Sequence, residues 1–69
     1  MTDRRTYTVT GMTCEHCVRS VTEEITEIDG VTDVAVDLPT GEVVVTSAHP
    51  IDHDEITAAV DEAGYELAS

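Results

Sequence analysis

Thr6-Tyr7-Thr8-Val9-Thr10-Gly11-Met12-Thr13-Cys14-Glu15-His16-Cys17 passes from one periodicity into another. Up to Thr10 the side chains alternate, placing Tyr7 and Val9 on one face of a half-buried strand and threonines on the other. Gly11 breaks the strand. From about Glu15 to Ile28 the apolar residues Val18, Val21, Ile25 and Ile28 recur at spacings of three and four, the stripe of an amphipathic helix. Both cysteines of the chain fall at this junction, Cys14 in the loop leading in and Cys17 at the edge of the stripe in the first turn.

The pattern continues downstream. Asp29-Gly30 ends the helix, glycine being suited to the left-handed position there. Val31 to Asp37 reads as a strand with Val34, Val36 and Leu38 on one face. Leu38-Pro39-Thr40-Gly41 supplies turn chemistry, and Glu42 to Ser47 returns with Val43 and Val45 inward, completing an antiparallel hairpin. Asp52-His53-Asp54-Glu55 has the acceptor and the later glutamate of a capping-box variant. Ile56, Ala59, Val60 and Ala63 form the stripe of a second helix, Gly64 stops it, and Tyr65 to Ala68 is long enough for a last short strand. Strand, helix, strand, strand, helix, strand is the split βαβ order. The predicted class is therefore α+β, a ferredoxin-like βαββαβ sandwich whose four-stranded antiparallel sheet carries both helices on one face. No internal repeat or linker interrupts it, so residues 1–69 are predicted to form a single domain.

Composition narrows the function. The apolar set is Val, Ile, Leu and Ala with two tyrosines and no Phe or Trp, a thin core with no deep aromatic pocket. That argues against an enzyme enclosing an organic substrate. Fifteen acidic residues against three basic ones, Arg4, Arg5 and Arg19, give a formal net charge of -12. Such a chain cannot neutralise a phosphate backbone, which excludes nucleic acid as a partner. The dispersed acids serve either solubility or docking to a basic partner. No stretch approaches the roughly 20 apolar residues of a membrane span, and no apolar signal-peptide core follows Met1. The expected location is the cytoplasm, where two close cysteines form a metal or redox site more readily than a structural disulfide.

Two readings of the thiols stand side by side. In the metal reading both sulfurs face one ion, and the helix N-terminus favours thiolate over thiol. A soft ion such as Cu(I) accepts two thiolates, whereas Zn(II) normally takes four ligands, and one chain with two cysteines cannot build a cysteine-rich zinc site. His16 lies between the thiols as a candidate third ligand, in reach when a second chain is brought up. In the redox reading the C-x-x-C pair belongs to a small thiol-disulfide oxidoreductase. Against it stand the missing aromatic before Cys14, the missing proline between the cysteines and the short chain. His49 and His53 are expected to be solvated.

Gly11-Met12-Thr13-Cys14-Glu15-His16-Cys17 resembles the G-M-T-C-x-x-C signature of the heavy-metal-associated (HMA) domain family. The likeness extends over nearly the whole chain, through the strand Val31 to Leu38, the Gly41 turn and the ending Glu62-Ala63-Gly64-Tyr65. It is greatest to the stand-alone bacterial Cu(I) chaperones. The resemblance implies a non-enzymatic carrier that binds Cu(I) through Cys14 and Cys17 and hands it to the cytoplasmic domains of a copper-exporting P-type ATPase. It makes Met12 a packed tether beneath the loop and brings Tyr65 up to the site, its ring shielding the sulfurs and its hydroxyl influencing them without binding the metal. Thr13 stands where zinc and cadmium versions of the domain often carry an aspartate, which favours monovalent copper; a chaperone for another soft ion (Hg, Zn or Cd) is the alternative that the resemblance leaves open. Some members place a lysine at the Tyr65 position. This chain has no lysine, and Arg19 is the cation nearest the motif in sequence. A copper-bridged homodimer built from the same residues is compatible with the carrier.

Overall fold

Alternation in the first strand begins earlier than the apolar residues announce. In the computed structural model, which describes residues 2–68, β1 spans Asp3–Thr10, three residues more than the Thr6 start predicted. Met1 and Ser69, the two ends of the expected 1–69 domain, lie outside the described residues. The extra residues pair with the neighbouring strand through Asp3↔Ser47, Arg4↔Thr46 and Arg5↔Val45. Backbone pairing needs no apolar side chain, so periodicity could not reveal them. An exposed Arg5–Asp3 ion pair of 2.9 Å lies along this extension.

The other elements are α1 at Glu15–Thr26, β2 at Val31–Asp37, β3 at Glu42–Ser47, α2 at His53–Glu62 and β4 at Glu66–Leu67. The sheet order is β2-β3-β1-β4, antiparallel throughout, as the split βαβ reading requires. Register aligns the inward side chains. Tyr7 lies opposite Val43, and Val43 and Val45 lie opposite Val36 and Val34. Val21 and Ile25 from α1 and Ile56 and Val60 from α2 close over this face, all four fully buried. Burying a side chain of this size contributes roughly 1.5–3 kcal/mol, so four of them dominate a core this small.

Several boundaries differ from the predicted ones. Helix α1 stops at Thr26, short of Ile28. The Ile28 amide donates to the Ile25 carbonyl at 3.0 Å, and Ile28 reaches the core from the following turn. Gly30, at φ +97°, turns the chain four residues beyond the last helical one. Asp52 is the N-cap of α2, but its side chain makes no capping hydrogen bond, so the expected capping box is not formed. Strand β4 has only two residues. Ser47 is buried although polar, satisfied by donating to the His49 carbonyl at 2.6 Å. His49 and His53 are exposed as expected. The ring of His53 nonetheless lies 6.0 Å from that of Tyr7.

Two glycines carry the turns differently. Gly41 has φ +75°, accepts a 2.9 Å hydrogen bond from the Val9 amide, and leaves no room for a methyl group, which would stand 2.6 Å from the Val9 carbonyl oxygen. Gly64 has φ +92° with open space around it. Gly41→Ala should therefore cost about 2–4 kcal/mol from strain plus a backbone clash, and Gly64→Ala about 1 kcal/mol from strain alone. Urea melts of the two variants measure the difference; equal losses would remove the steric part of the account.

Candidate metal centre

Three elements meet at the C-terminal end of β1. The loop from Gly11 to Thr13 leaves the sheet, α1 begins immediately after it, and Tyr65 arrives from the turn between α2 and β4. Cys14 is the N-cap of α1 in extended conformation, with φ -154° and ψ 168°. Its carbonyl accepts hydrogen bonds from the Cys17 and Val18 amides at 3.1 and 3.3 Å, which winds the first turn around the motif. The spacing of three residues then brings the two sulfurs together. Cys14 Sγ and Cys17 Sγ are 3.3 Å apart, both reduced, Cys14 exposed and Cys17 half-buried against the core.

Met12 is buried in the core cluster directly under this loop. Such packing holds the loop while leaving the flanking Gly11, Thr13 and Cys14 at the surface. Gly11, at φ +91°, faces the Tyr65 ring. A methyl group on Gly11 would lie 3.3 Å from Tyr65 Cδ1. The glycine read in the sequence as a strand breaker thus also admits an aromatic ring to the site. Nothing in the sequence marks that second role, because the contact joins positions far apart in the chain.

The electrostatics follow from this contact. The Tyr65 hydroxyl stabilises the Cys17 thiolate, with smaller help from backbone hydrogen bonding at Thr13 and from the Cys14 thiol, and the Cys17 pKa falls to about 6. Desolvation opposes the shift but is outweighed. The same pairing, with desolvation and the sulfur charges, pushes the Tyr65 phenol up. Since the depressed thiol is ionised above its pKa, Cys17 is a ready nucleophile and metal donor at neutral pH. Iodoacetamide alkylation of Cys17 in the metal-free protein, followed by mass spectrometry across pH, should rise through about pH 6. In Tyr65→Phe the midpoint should move up toward the ordinary thiol range; an unmoved midpoint would take the hydroxyl out of the account.

His16 is exposed on the first turn of α1, and Arg19 is exposed one turn further along. Among the described residues no group of three His, Cys, Asp or Glu side chains is gathered into a metal cage. Within one chain the site is thus two sulfurs, a phenol beside them and a helix N-terminus behind. No described helix is long and apolar enough to cross a membrane.

Fold and site together define a class: small βαββαβ domains that carry an exposed dithiol where the first strand hands over to the first helix. The heavy-metal-associated domain family matches residues 6–66, nearly the whole chain, and the chain belongs to it. The copper chaperone CopZ of Bacillus subtilis is 37% identical over 67 residues, covering 96% of this chain and 97% of that protein. A solved CopZ metallochaperone superposes with a TM-score of 0.89 at 30% identity, covering 96% of this chain and all of the other. A probable copper-exporting P-type ATPase of Archaeoglobus fulgidus contains a similar stretch, 36% identical over 62 residues, which spans 88% of this chain and 8% of the ATPase.

Proposed function

We propose that this protein is a cytoplasmic Cu(I) carrier that holds one ion on the thiolates of Cys14 and Cys17 and releases it by ligand exchange to a copper-exporting P-type ATPase. The observation that carries the reading is the exposed pair of reduced sulfurs 3.3 Å apart at the start of α1. Two thiolates satisfy a soft monovalent ion and undersupply zinc. With bonds of about 2.3 Å, the length of a zinc–thiolate bond, two opposed sulfurs stand about 4.6 Å apart, so the pair must open on loading. Cys14, exposed at the loop end, is the side chain free to swing.

Release follows from the same geometry. A recipient thiolate adds to the two-coordinate ion, a three-coordinate bridged species forms, and Cys14, the more exposed sulfur, leaves first. No electron is transferred and no bond within the protein breaks, so the chain acts as a carrier and not as an enzyme. Exchange of Cu(I) between thiolates needs thiols kept from oxidation, and a reducing cytoplasm meets that need. The relatives support copper as the cargo and an ATPase domain as the recipient. A net charge of -12 opposes pairing with a second copy and favours a recipient of different charge.

Anaerobic Cu(I) titration with X-ray absorption at the copper edge tests the assignment. One ion per chain with two sulfur donors is expected. A nitrogen donor would bring His16 into the site, and metal-free catalytic reduction of a disulfide substrate would replace the carrier with an oxidoreductase.

A further inference from the structure

Strand β1 is paired on both sides over only part of its length. Toward β3 the register runs without a break from Asp3↔Ser47 to Thr8↔Glu42. On the other side β4 lies opposite only Val9 and Thr10, and the Ala68 amide adds one bond, donating to the Thr8 carbonyl at 2.7 Å. Backbone groups along a strand point alternately to its two neighbours, so those of Arg4 and Thr6 share the side of Thr8. Among the described residues neither the amides nor the carbonyls of Arg4 and Thr6 have a hydrogen-bond partner. Arg4, Arg5 and Thr6 are exposed.

Natural sheets blunt such edges, often with a bulge. The other edge strand, β2, carries a register shift between Val31 and Asp33, whereas the open stretch of β1 is regular. This stretch is also where a chain of net charge -12 places two of its three arginines. Arg5 is held by Asp3 at 2.9 Å, and Arg4 has no ion-pair partner among the described residues. Tyr7 and Val9 are buried, so alternation turns the Arg4 and Thr6 side chains to the sheet face away from the helices. The first turn of α2 stands over the other face, with the His53 ring 6.0 Å from that of Tyr7. We propose that a partner protein adds an extended segment to this edge, its backbone bonding Arg4 and Thr6, a carboxylate side chain pairing with Arg4, and aliphatic side chains turned toward Tyr7 and α2. In strand addition the main-chain bonds supply affinity and the alternate side chains supply selectivity. A second copy would meet the repulsion of two strongly acidic chains, so the occupant is a different protein. Arg4 and Thr10 are about 20 Å apart along β1, which puts this edge at the far end of the strand from the dithiol. The docking mode therefore goes beyond the copper reading and does not depend on it.

The test titrates the metal-free protein with two labelled peptides of about seven residues, about 23 Å when extended. Both alternate Thr and Val, and they differ at one central position on the Thr face, Glu in one and Lys in the other. The charge of the whole chain favours the Lys peptide. Pairing with Arg4 should reverse that order, the Glu peptide binding about tenfold tighter by fluorescence anisotropy. Hydrogen exchange followed by NMR should show the Arg4 and Thr6 amides slowed about tenfold or more by the Glu peptide, and the Arg5 and Tyr7 amides, already turned to β3, unchanged. Methylation of the peptide nitrogens that face the edge should abolish binding, and methylation of the alternate nitrogens should not. Arg4→Glu should remove the preference for Glu, while Arg19→Glu, the same change of charge on α1, should keep it. Equal binding of the two peptides, tighter binding of the Lys peptide, or unchanged exchange at Arg4 and Thr6 would overturn the proposal. Self-association of the free chain with these amides protected would give the edge to a second copy and overturn it as well. Cu(I) titration should be the same with and without the peptide, and a changed titration would put the peptide at the dithiol and sink the assignment. Failure of the parent itself to bind Cu(I) would overturn the carrier reading and leave the edge result standing.

Discussion

Cys14→Ser should lower Cu(I) affinity by at least a thousandfold, on the order of 4 kcal/mol, while leaving the fold intact or slightly firmer. The loss follows from replacing one of two soft donors with a hard, protonated hydroxyl, so that the ion keeps a single thiolate. The gain has a separate cause. Cys14 is the N-cap of α1 and its side chain makes no capping hydrogen bond. Serine is among the preferred N-caps, and a cap formed there is worth about 1 kcal/mol. Cys17→Ser should lose copper equally but carry no such benefit, since Cys17 is inside the first turn and packs partly against the core. Competition with a Cu(I) chelator measures the first effect and thermal melting of the metal-free chains the second. Parent-like copper affinity in either variant would defeat the assignment of that cysteine as a ligand. A lower melting temperature for Cys14→Ser would contradict the capping argument.

Ile25→Ala should destabilise the metal-free protein by about 3–4 kcal/mol, the range for truncating a fully buried aliphatic side chain in a core that collapses only partly. Ile25 is completely inaccessible and sits where α1 meets the sheet. In a domain of this size each kcal/mol shifts the melting temperature by about 4–8 °C, so a fall on the order of 20 °C is expected. Calorimetry with and without bound Cu(I) checks it. A loss below about 1 kcal/mol would mean that the neighbouring side chains repack into the space, and the importance given to this position would be wrong.

The hydrophobic periods made most of the architecture readable. Strands β2 and β3 fall at the predicted residues, and Val21, Ile25, Ile56 and Val60 are the core that the spacings indicated. Where the reading missed, the deciding interaction was one that side-chain chemistry does not announce. The start of β1 is held by backbone pairing to β3, and α1 ends two residues before its last stripe residue because Ile28 enters the core from a turn. Ser47 is inside because alternation in β3 places it there and the His49 carbonyl accepts its hydroxyl. Asp52 has the residue type of a cap without making the bond. Type and spacing indicate what a side chain is able to do, and the packed chain selects among those options.

The same division holds at the candidate metal centre. By itself the sequence determined the fold class, the strand-to-helix junction and the placing of two cysteines across the first helical turn. These are local consequences of periodicity, a glycine break and a three-residue spacing. Only the tertiary structure decided what surrounds the sulfurs. It buries Met12 beneath the loop, lays the Tyr65 ring against Gly11, and brings the Tyr65 hydroxyl to bear on Cys17, whose pKa falls to about 6. It also sets Glu24 and Glu27 facing Glu55 and Glu62 across a groove. Such contacts join residues up to 54 positions apart, as Gly11 and Tyr65 are. They exist only once closing of the sheet and packing of both helices on one core have offset the entropy of bringing distant segments together.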